Sequence, residues 1–252
     1  MNFAEKLQTI AENEQKVYDA GLRYGVLSDR IRRWNSITDN GVRTNYENAF
    51  YGHSWNDDTF DPTCHIAPAV ATRMFSYSKI TDLQALLSRC GVTLDFSYTT
   101  NAEYAFHNSA ITRVGVIDTA NFLSVGNIFN GAKNLTTIDK LMLPYRSRSF
   151  TAGTFAGCGK LTNVVFEKQA PVYENEITDY YGNAYLNVTN LSPESMVSFI
   201  SCLYDAIGNG KSGYAYTIKF SDACWAALNA AIAAPDGCDT WQDYVYGLGY
   251  NV

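Results

Sequence analysis

The sequence predicts an α/β repeat protein, a solenoid of short strands and irregular turns that begins with a helix and ends in a small α/β cap. Three observations predict it: residues 1–40 show helical spacing of apolar side chains, residues 41–170 repeat a phenylalanine-centred motif, and residues 171–252 alternate capped helices with a strand. With 252 residues and 46% hydrophobic content, the chain can bury a sizeable core.

The first segment, residues 1–40, is predicted to be helical. Apolar residues recur at alternating steps of four and three from Phe3 to Tyr24, which is the spacing of a coiled-coil seam. The seam covers only about three heptads, and Glu14 and Gly21 occupy positions that apolar residues normally fill. Two interpretations stay open, an amphipathic helix packed on its own domain and a helix that associates between chains.

The middle segment repeats one motif. Each copy has a phenylalanine, a small polar turn, an aliphatic residue and, three positions later, a second aliphatic residue. The phenylalanines are Phe75, Phe106, Phe129 and Phe155, at intervals of 31, 23 and 26 residues, with a weaker opening copy at Phe50. This period is in the range of leucine-rich repeats and their relatives. Because one unit cannot bury its own apolar edge, the units are predicted to stack with the phenylalanines in a continuous core ladder.

The last of these copies, GTFAGCGKLTNVVFE at 153–167, also approaches a phosphate-binding loop. Such a loop needs G-x-x-x-x-G-K-[ST], because glycines expose the backbone N–H groups and the hydroxyl holds magnesium. Thr154 stands where the first glycine belongs, and Leu161 stands where the hydroxyl belongs. We therefore interpret the stretch as a turn between the core Phe155 and a short strand.

The patterns AFxxxxxIT and FxGCxKLTxVxF, found across residues 43–168, resemble the BspA-type leucine-rich repeat family. Units of that family place a short strand on one face and an irregular turn on the other, which the resemblance implies here. The spacing is irregular, and CHIAPAVA and YRSRS are insertions that regular members lack. The opening run AEKLQTIAENEQKVYDAG also resembles openings of tail-region proteins from bacteriophages and prophages of gut Firmicutes, where it is joined to such repeats.

Residues 171–252 are predicted to form an α/β cap, which solenoids need because their open end would expose apolar surface. The first helix has Pro193 at its first position and is expected to end at Gly208. The run YAYTIKF at 214–220 alternates as a strand does. The N-cap candidates of three helices are Ser192, Ser221 and Thr240.

Charge and hydropathy exclude several partners. A net charge of −6 without a local Lys/Arg cluster argues against nucleic acid. No apolar run approaches a membrane span, so no membrane insertion is expected. The N-terminal residues lack the features of a signal peptide, so we expect synthesis in the cytoplasm, with virion or tail association if a phage encodes the chain. The six cysteines show no C-x-x-C spacing and are predicted to be buried free thiols.

Catalytic motifs are scarce. His53, His65 and His107 lie in different segments, and none has a second ligand at the spacing of a zinc site. The acidic run WNDDTFDP at 55–62 lacks the glycine and closing Glu of an EF-hand. No G-x-S-x-G elbow or dinucleotide fingerprint occurs. We therefore expect no catalytic residues, no cofactor and no metal, and we predict that the protein is not an enzyme.

These observations predict a binding or structural protein. The resemblance implies a phage or prophage tail-region component, receptor-binding or baseplate-associated, that recognises a bacterial surface glycan or protein and contacts other tail proteins. It also implies a homo-oligomer, with a trimer favoured. One alternative is a bacterial adhesion or protein-interaction module with the same repeats. A third, less favoured, is a carbohydrate-active enzyme, because the chain has 18 Tyr and aromatic faces stack on sugars.

The ligand is expected on the outward residues of strands and turns, because stacking buries the rest. Tyrosine suits recognition, since it gives rigid amphipathic area at low entropic cost. The predicted ligand-binding residues are Tyr104, His107, Tyr145 and Tyr181. The wider set expected at the surface includes Tyr77, Ser78, Asn130 and Tyr180. The open alternative for any one tyrosine is that it packs under a loop.

Overall fold

The computed structural model describes residues 44–45, 47–48, 50–52, 65–66, 68–89, 93–119, 121–123, 125–143, 150–169, 179–186, 188–211, 213–235 and 237–252. The predicted helix of residues 1–40 and the acidic run at 55–62 lie outside these residues, so both stay predictions. The proposed segment boundaries near residues 40 and 170 stay predictions as well.

The described residues contain short strands, paired in parallel, and short helices, joined by turns. The strands are β1 (Thr44–Asn45), β2 (His65–Ile66), β3 (Pro68–Val70), β4 (Thr93–Leu94), β5 (Arg113–Asp118), β6 (Thr137–Met142), β7 (Asn163–Glu167), β8 (Ala184–Leu186), β9 (Tyr216–Phe220) and β10 (Tyr250–Asn251). The helices are α1 (Leu83–Arg89), α2 (Pro193–Ile200), α3 (Asp222–Ala231) and α4 (Trp241–Gly247). Parallel sheets of three strands have the orders β5-β6-β7 and β10-β9-β8, and β1 pairs with β3 and β2 with β4. One continuous apolar core runs through both larger sheets.

A column of phenylalanine rings forms the centre of this core. The ring centroids of Phe50, Phe75, Phe106, Phe129 and Phe155 follow one another at 5.0, 5.4, 5.4 and 5.5 Å, with interplanar angles of 23°, 3°, 11° and 6°. Nearly parallel rings at this separation are offset, the arrangement that the ring quadrupole favours. No member is more than 2% exposed. The predicted phenylalanine ladder is therefore confirmed, and Phe50 belongs to it.

A second column, of threonines, joins consecutive units at the start of the strands. The Oγ1 of Thr112 donates to the carbonyl of Thr81 at 2.7 Å, that of Thr136 to Thr112 at 2.9 Å, and that of Thr162 to Thr136 at 3.3 Å. Each of these threonines also donates its backbone N–H to the same carbonyl. The column ends where the N–H of Ser192 donates to the carbonyl of Thr162. Each unit is thus held to the next at a repeated position.

Helix α2 covers the free edge of β7 with serine hydroxyls. The Oγ of Ser195 accepts the N–H of Val164 at 2.9 Å, and the Oγ of Ser198 accepts the N–H of Phe166 at 3.1 Å. Ser198 also donates to the carbonyl of Val164 at 3.3 Å. A bare strand edge would leave these groups unpaired or open to another chain. Two serines therefore replace the missing neighbour strand.

The three predicted helix caps are confirmed. The Oγ of Ser192 and of Ser221 each accepts a backbone N–H three residues later, both at 3.2 Å. Thr240 forms a capping box with Asp243, in which each side chain accepts a backbone N–H of the other. The predicted strand at 214–220 is found at Tyr216–Phe220.

The predicted end of the first C-terminal helix at Gly208 is wrong, because α2 ends at Ile200. Beyond this point the backbone pairs with Tyr180. The N–H of Tyr180 donates to the carbonyl of Cys202, and the N–H of Tyr204 donates to the carbonyl of Tyr180. Backbone groups used in this pairing cannot continue the i to i−4 ladder of a helix. The tertiary pairing therefore overrides the apolar helical pattern.

None of the helices within the described residues has the length and apolar content needed to cross a membrane.

Candidate ligand-binding site

The structure brings together two of the four predicted ligand-binding residues. The rings of Tyr104 and His107 meet edge to face with 5.2 Å between centroids. Tyr181 is half-buried in the C-terminal region, where its ring packs against Tyr216 at 4.7 Å. Tyr145 lies outside the described residues. The predicted ligand-binding roles of Tyr145 and Tyr181 therefore stay predictions, and neither residue belongs to the site around Tyr104 and His107.

Two residues expected at the surface are buried, so those expectations were wrong. Tyr180 is 1% exposed, because its hydroxyl donates to the carbonyl of Asn183 at 2.6 Å and accepts the N–H of Phe150. Ser78 is 2% exposed. Its neighbour Tyr77 does project into solvent. Alternation of side chains around a tight turn decides which of two adjacent residues is outside.

Tyr104 and His107 belong to a longer line of rings, which we call the aromatic row: Tyr51, Tyr77, His107 and Tyr104. The Tyr51–Tyr77 and Tyr77–His107 centroid distances are both 5.4 Å. Tyr51 is 45% exposed and Tyr77 is 48% exposed. The row crosses the turns of three successive units and runs beside the buried phenylalanine column. It has one ring or more for each unit: Tyr51 and Tyr77 are exposed, whereas His107 and Tyr104 are half-buried.

The turns that carry the row impose an unusual backbone. Two residues after each column phenylalanine, φ lies between 50° and 78°, in the left-handed region, at Gly52, Tyr77, Asn108, Gly131 and Gly157. Glycine adopts this region freely and asparagine tolerates it, whereas another side chain costs about 1–2 kcal/mol. Tyr77 is therefore the exception, because the equivalent turns use glycine or asparagine.

A second left-handed position lies two residues before the phenylalanine. It is occupied by Asn48, Arg73, Tyr104 and Asn127, with φ between 51° and 59°. The large residues among them interact, since the guanidinium carbon of Arg73 lies 5.7 Å from the centroid of the Tyr104 ring. Strained backbone at exposed residues is typical of ligand sites, where the side chain serves something other than folding. The strain thus concentrates on the same units as the row.

His107 has both ring nitrogens engaged. Its Nδ1 lies 2.8 Å from the carbonyl oxygen of Asn130, which only accepts, so Nδ1 carries the proton. Its Nε2 lies 2.7 Å from Nδ2 of Asn108 and accepts from that amide in the neutral ring. The amide is itself fixed, because its Oδ1 occupies the space where a Cβ at Gly131 would be, at 2.1 Å. His107 is therefore a positioned ring rather than a free base.

Two of the described thiols, Cys158 and Cys202, are not poised for nucleophilic chemistry. Burial raises the pKa of Cys158 to about 12 and that of Cys202 to about 11. The Sγ of Cys158 donates to the carbonyl of Phe129 at 3.1 Å. Since the thiolate is the reactive form, both are inert thiols at neutral pH. Cys224 is also buried, whereas Cys238 is partly exposed and Cys64 and Cys90 lie outside the described residues.

The described residues contain no group of three His, Cys, Asp or Glu arranged to hold a metal ion. A groove of about 190 Å³ lies between α1 and β5, lined mainly by apolar side chains such as Leu87, Phe96 and Val116. Gln84 is its one polar side chain, and ligand sites normally bring several polar groups together. The aromatic row is therefore the better candidate.

The outward face of the central sheet carries ion pairs between neighbouring strands. Arg113 of β5 bonds to Asp139 of β6 at 2.9 Å, and Lys140 of β6 pairs with Glu167 of β7. Such exposed pairs contribute little to stability. Because these charges neutralise one another, this face does not offer the strong field of one sign that would attract a charged ligand.

Sequence reasoning missed Tyr51 and Arg73 and left Tyr77 out of the ligand-binding residues. A signal for Tyr77 was present. When the repeats are aligned on their phenylalanines, the position two residues later holds glycine in three units and asparagine in one, so a tyrosine there is anomalous. Comparisons of the chain with protein-family models, with curated proteins and with solved structures give no match.

Proposed function

We propose that this chain is a non-enzymatic binding and structural protein that recognises a bacterial surface ligand, a glycan or a protein. We propose further that it is a BspA-type, leucine-rich-repeat-like solenoid from the tail region of a phage or prophage, receptor-binding or baseplate-associated. The recurring phenylalanine and threonine columns support the repeat assignment. The aromatic row is the observation that carries the binding assignment.

The row suits recognition because its rings are held before any ligand arrives. Tyr77 and Tyr104 have restricted backbones, and His107 has both nitrogens hydrogen bonded. A ligand that contacts them therefore loses little additional freedom in the protein, which is a main cost of association. Tyrosine combines an apolar face with a hydroxyl, so one ring both packs and hydrogen bonds.

The test is binding of the full-length protein to whole cells of candidate hosts. The informative variant combines Tyr77→Gly with Tyr104→Asn, because both new residues accept the left-handed backbone while both rings are lost. We expect at least tenfold weaker binding, with a melting temperature equal to that of the parent or a few degrees above it. Tyr98→Ser is the matched control, since Tyr98 is 45% exposed and lies outside the row. Retained binding by the double variant would contradict the row as the ligand site.

The alternative is a bacterial adhesion or protein-interaction module, and the aromatic row favours it equally. The two differ in which genome encodes the chain, so neighbouring tail, holin and lysin genes would favour the phage assignment. The tail assignment also implies partners among other virion proteins and a homo-oligomer, with a trimer first. Light scattering that gives the 28.0 kDa monomer at high concentration would contradict the oligomer.

A further inference from the structure

A second exposed aromatic pair lies in the C-terminal region. The rings of Tyr214 and Tyr246 are 4.6 Å apart between centroids, with 32° between their planes. Tyr214 is 43% exposed and Tyr246 is 52% exposed. The neighbouring phenol of Tyr246 raises the pKa of Tyr214. The two rings thus form one shelf with a hydroxyl border, at a distance in sequence from the aromatic row.

The backbone at Tyr214 is strained and firmly held. Its φ is 67°, in the left-handed region. Its N–H donates to the carbonyl of Gly249, and its own carbonyl accepts from Nδ2 of Asn251 at 2.9 Å. The chain passes close to itself here, since a Cβ on Gly213 would lie 3.1 Å from the Cα of Gly249. These contacts maintain a conformation that a tyrosine would otherwise leave.

This strain follows the same pattern as the aromatic row. Seven non-glycine residues in the described part of the chain have left-handed φ values. Three are asparagines, which tolerate the region, and the large ones are Arg73, Tyr77, Tyr104 and Tyr214. The first three are members or neighbours of the row, and the fourth belongs to the second pair. Large residues in an unfavourable backbone therefore occur where exposed rings are grouped.

The size of the shelf restricts its occupant. A fully buried tyrosine contributes roughly 150–250 Å², so two half-exposed rings present on the order of 200 Å². A stable protein partner needs about 800 Å² on each side. Ile207, 45% exposed and in contact range of Gly213, adds one apolar side chain beside Tyr214. The shelf therefore fits a small ligand better than a protein surface.

The chemistry of the shelf restricts the occupant further. The groups that hold Tyr214 are the uncharged Gly249 and Asn251, and the border is formed by phenol hydroxyls. A sugar ring has a matching apolar face and hydroxyls that both donate and accept. We propose that the Tyr214–Tyr246 pair is a second saccharide-binding site, which takes one unit of an uncharged glycan on its exposed face. The inference rests on one of the two ligand classes of the proposed function, a glycan, and on nothing else in it.

The test uses four full-length proteins: the parent, the row variant (Tyr77→Gly with Tyr104→Asn), the pair variant (Tyr214→Gly with Tyr246→Ser), and the combination of both. The probes are neutral hexasaccharides of glucose, galactose, rhamnose and N-acetylglucosamine, followed by saturation-transfer NMR. Tyr246→Ser alone is the second pair variant, because Tyr246 is a surface residue of α4 whose loss does not touch the Tyr214 backbone. Tyr98→Ser is the control, and melting temperatures within about 4 °C of the parent establish folding.

We expect the row variant to keep binding one of these probes, and the pair variant and Tyr246→Ser to weaken that remaining binding at least tenfold. Binding abolished by the row variant alone would overturn the second site and leave the proposed function standing. Binding that the pair variants weaken and the row variant leaves unchanged would support the second site and contradict the aromatic row as a ligand site. A parent that binds none of the four probes, or binding that both pair variants leave unchanged, would overturn the inference.

Discussion

The repeat region and the C-terminal region bury aromatic rings in two different ways. In the repeats, the column from Phe50 to Phe155 stacks with interplanar angles of 3° to 23°. Around Phe199, the rings meet edge to face, at 77° with Phe166 and 83° with Phe220. Units that follow one another by translation place equivalent rings parallel. Beyond Phe155, the ring of Phe199 packs mainly through edge-to-face contacts, which the ring quadrupole also favours.

Side-chain hydrogen bonds also recur in the repeats and vary in the C-terminal region. In the repeats, threonines at one position bond from unit to unit. In the C-terminal region, Ser192, Ser221 and Thr240 cap helices, and Asn183 and Asn229 each accept a backbone N–H through Oδ1. Ser195 and Ser198 lie at the junction of the two regions, on helix α2, and they bond to the edge strand β7. The repeats are thus stabilised by one contact that recurs from unit to unit, and the C-terminal region by contacts that differ from place to place.

The largest expected effect concerns the repeated contact. Phe129 is fully buried and has a stacked ring on each side. We expect Phe129→Ala to lower the free energy of unfolding by about 3–5 kcal/mol, because a large cavity opens between neighbours that cannot close it. Urea denaturation measures this change. Phe129→Leu serves as the control with a smaller loss, and an alanine variant as stable as the parent would contradict the ladder.

The next largest loss of stability is expected at the junction of the two regions, where α2 covers the edge of β7. Ser195→Ala leaves the N–H of the buried Val164 without its acceptor, so we expect a loss of about 1–3 kcal/mol in the free energy of unfolding. Ser201→Ala is the matched control, since Ser201 is exposed just after the same helix, and it should change stability by no more than about 0.5 kcal/mol. Equal effects of the two substitutions would show that α2 does not close the sheet through its serines.

The threonine column gives a smaller effect. Thr136→Val keeps the shape of the side chain and removes the Oγ1, which bonds to the carbonyl of Thr112 and lies 3.5 Å from the Oγ1 of Thr137. We expect a loss of about 0.5–1.5 kcal/mol in the free energy of unfolding. The exposed Thr151 provides the control through Thr151→Val, for which thermal unfolding should register little change. If valine at position 136 is neutral, the backbone N–H alone holds the units together.

The smallest expected effect has the opposite sign. Tyr77→Gly relieves about 1–2 kcal/mol of backbone strain, and the greater chain entropy of glycine stabilises the unfolded state by about 0.5–1 kcal/mol. The free energy of unfolding should therefore stay equal or rise by up to about 1.5 kcal/mol. Tyr98→Gly, at an exposed tyrosine with negative φ, should lower it instead. If both variants lose stability alike in urea denaturation, Tyr77 serves folding and not the row.

Part of the fold was predictable from the sequence and part was not. Phe75 and its equivalents recur at intervals that predict stacked rings, and Ser221 and Thr240 cap the helices that directly follow them. The serine edge of α2 was not predictable, because Ser195 and Val164 are far apart in the chain. The end of α2 was predicted incorrectly for the same reason, since Tyr180 takes the backbone groups of the next turn.

The candidate ligand-binding site was also predictable from the sequence only in part. Tyr104 and His107 were predictable as neighbours, because they are three positions apart across one turn. Tyr51 and Tyr77 join them only through stacking of units, and which tyrosine is exposed depends on that stacking, as the buried Tyr180 shows. The sequence by itself determined the repeated phenylalanines, the caps and the turn chemistry, because these depend on spacing and on residues close in the chain. Only the tertiary structure decided where helix α2 ends, how the sheet edge is closed and which rings face solvent, because those depend on neighbours brought from other units.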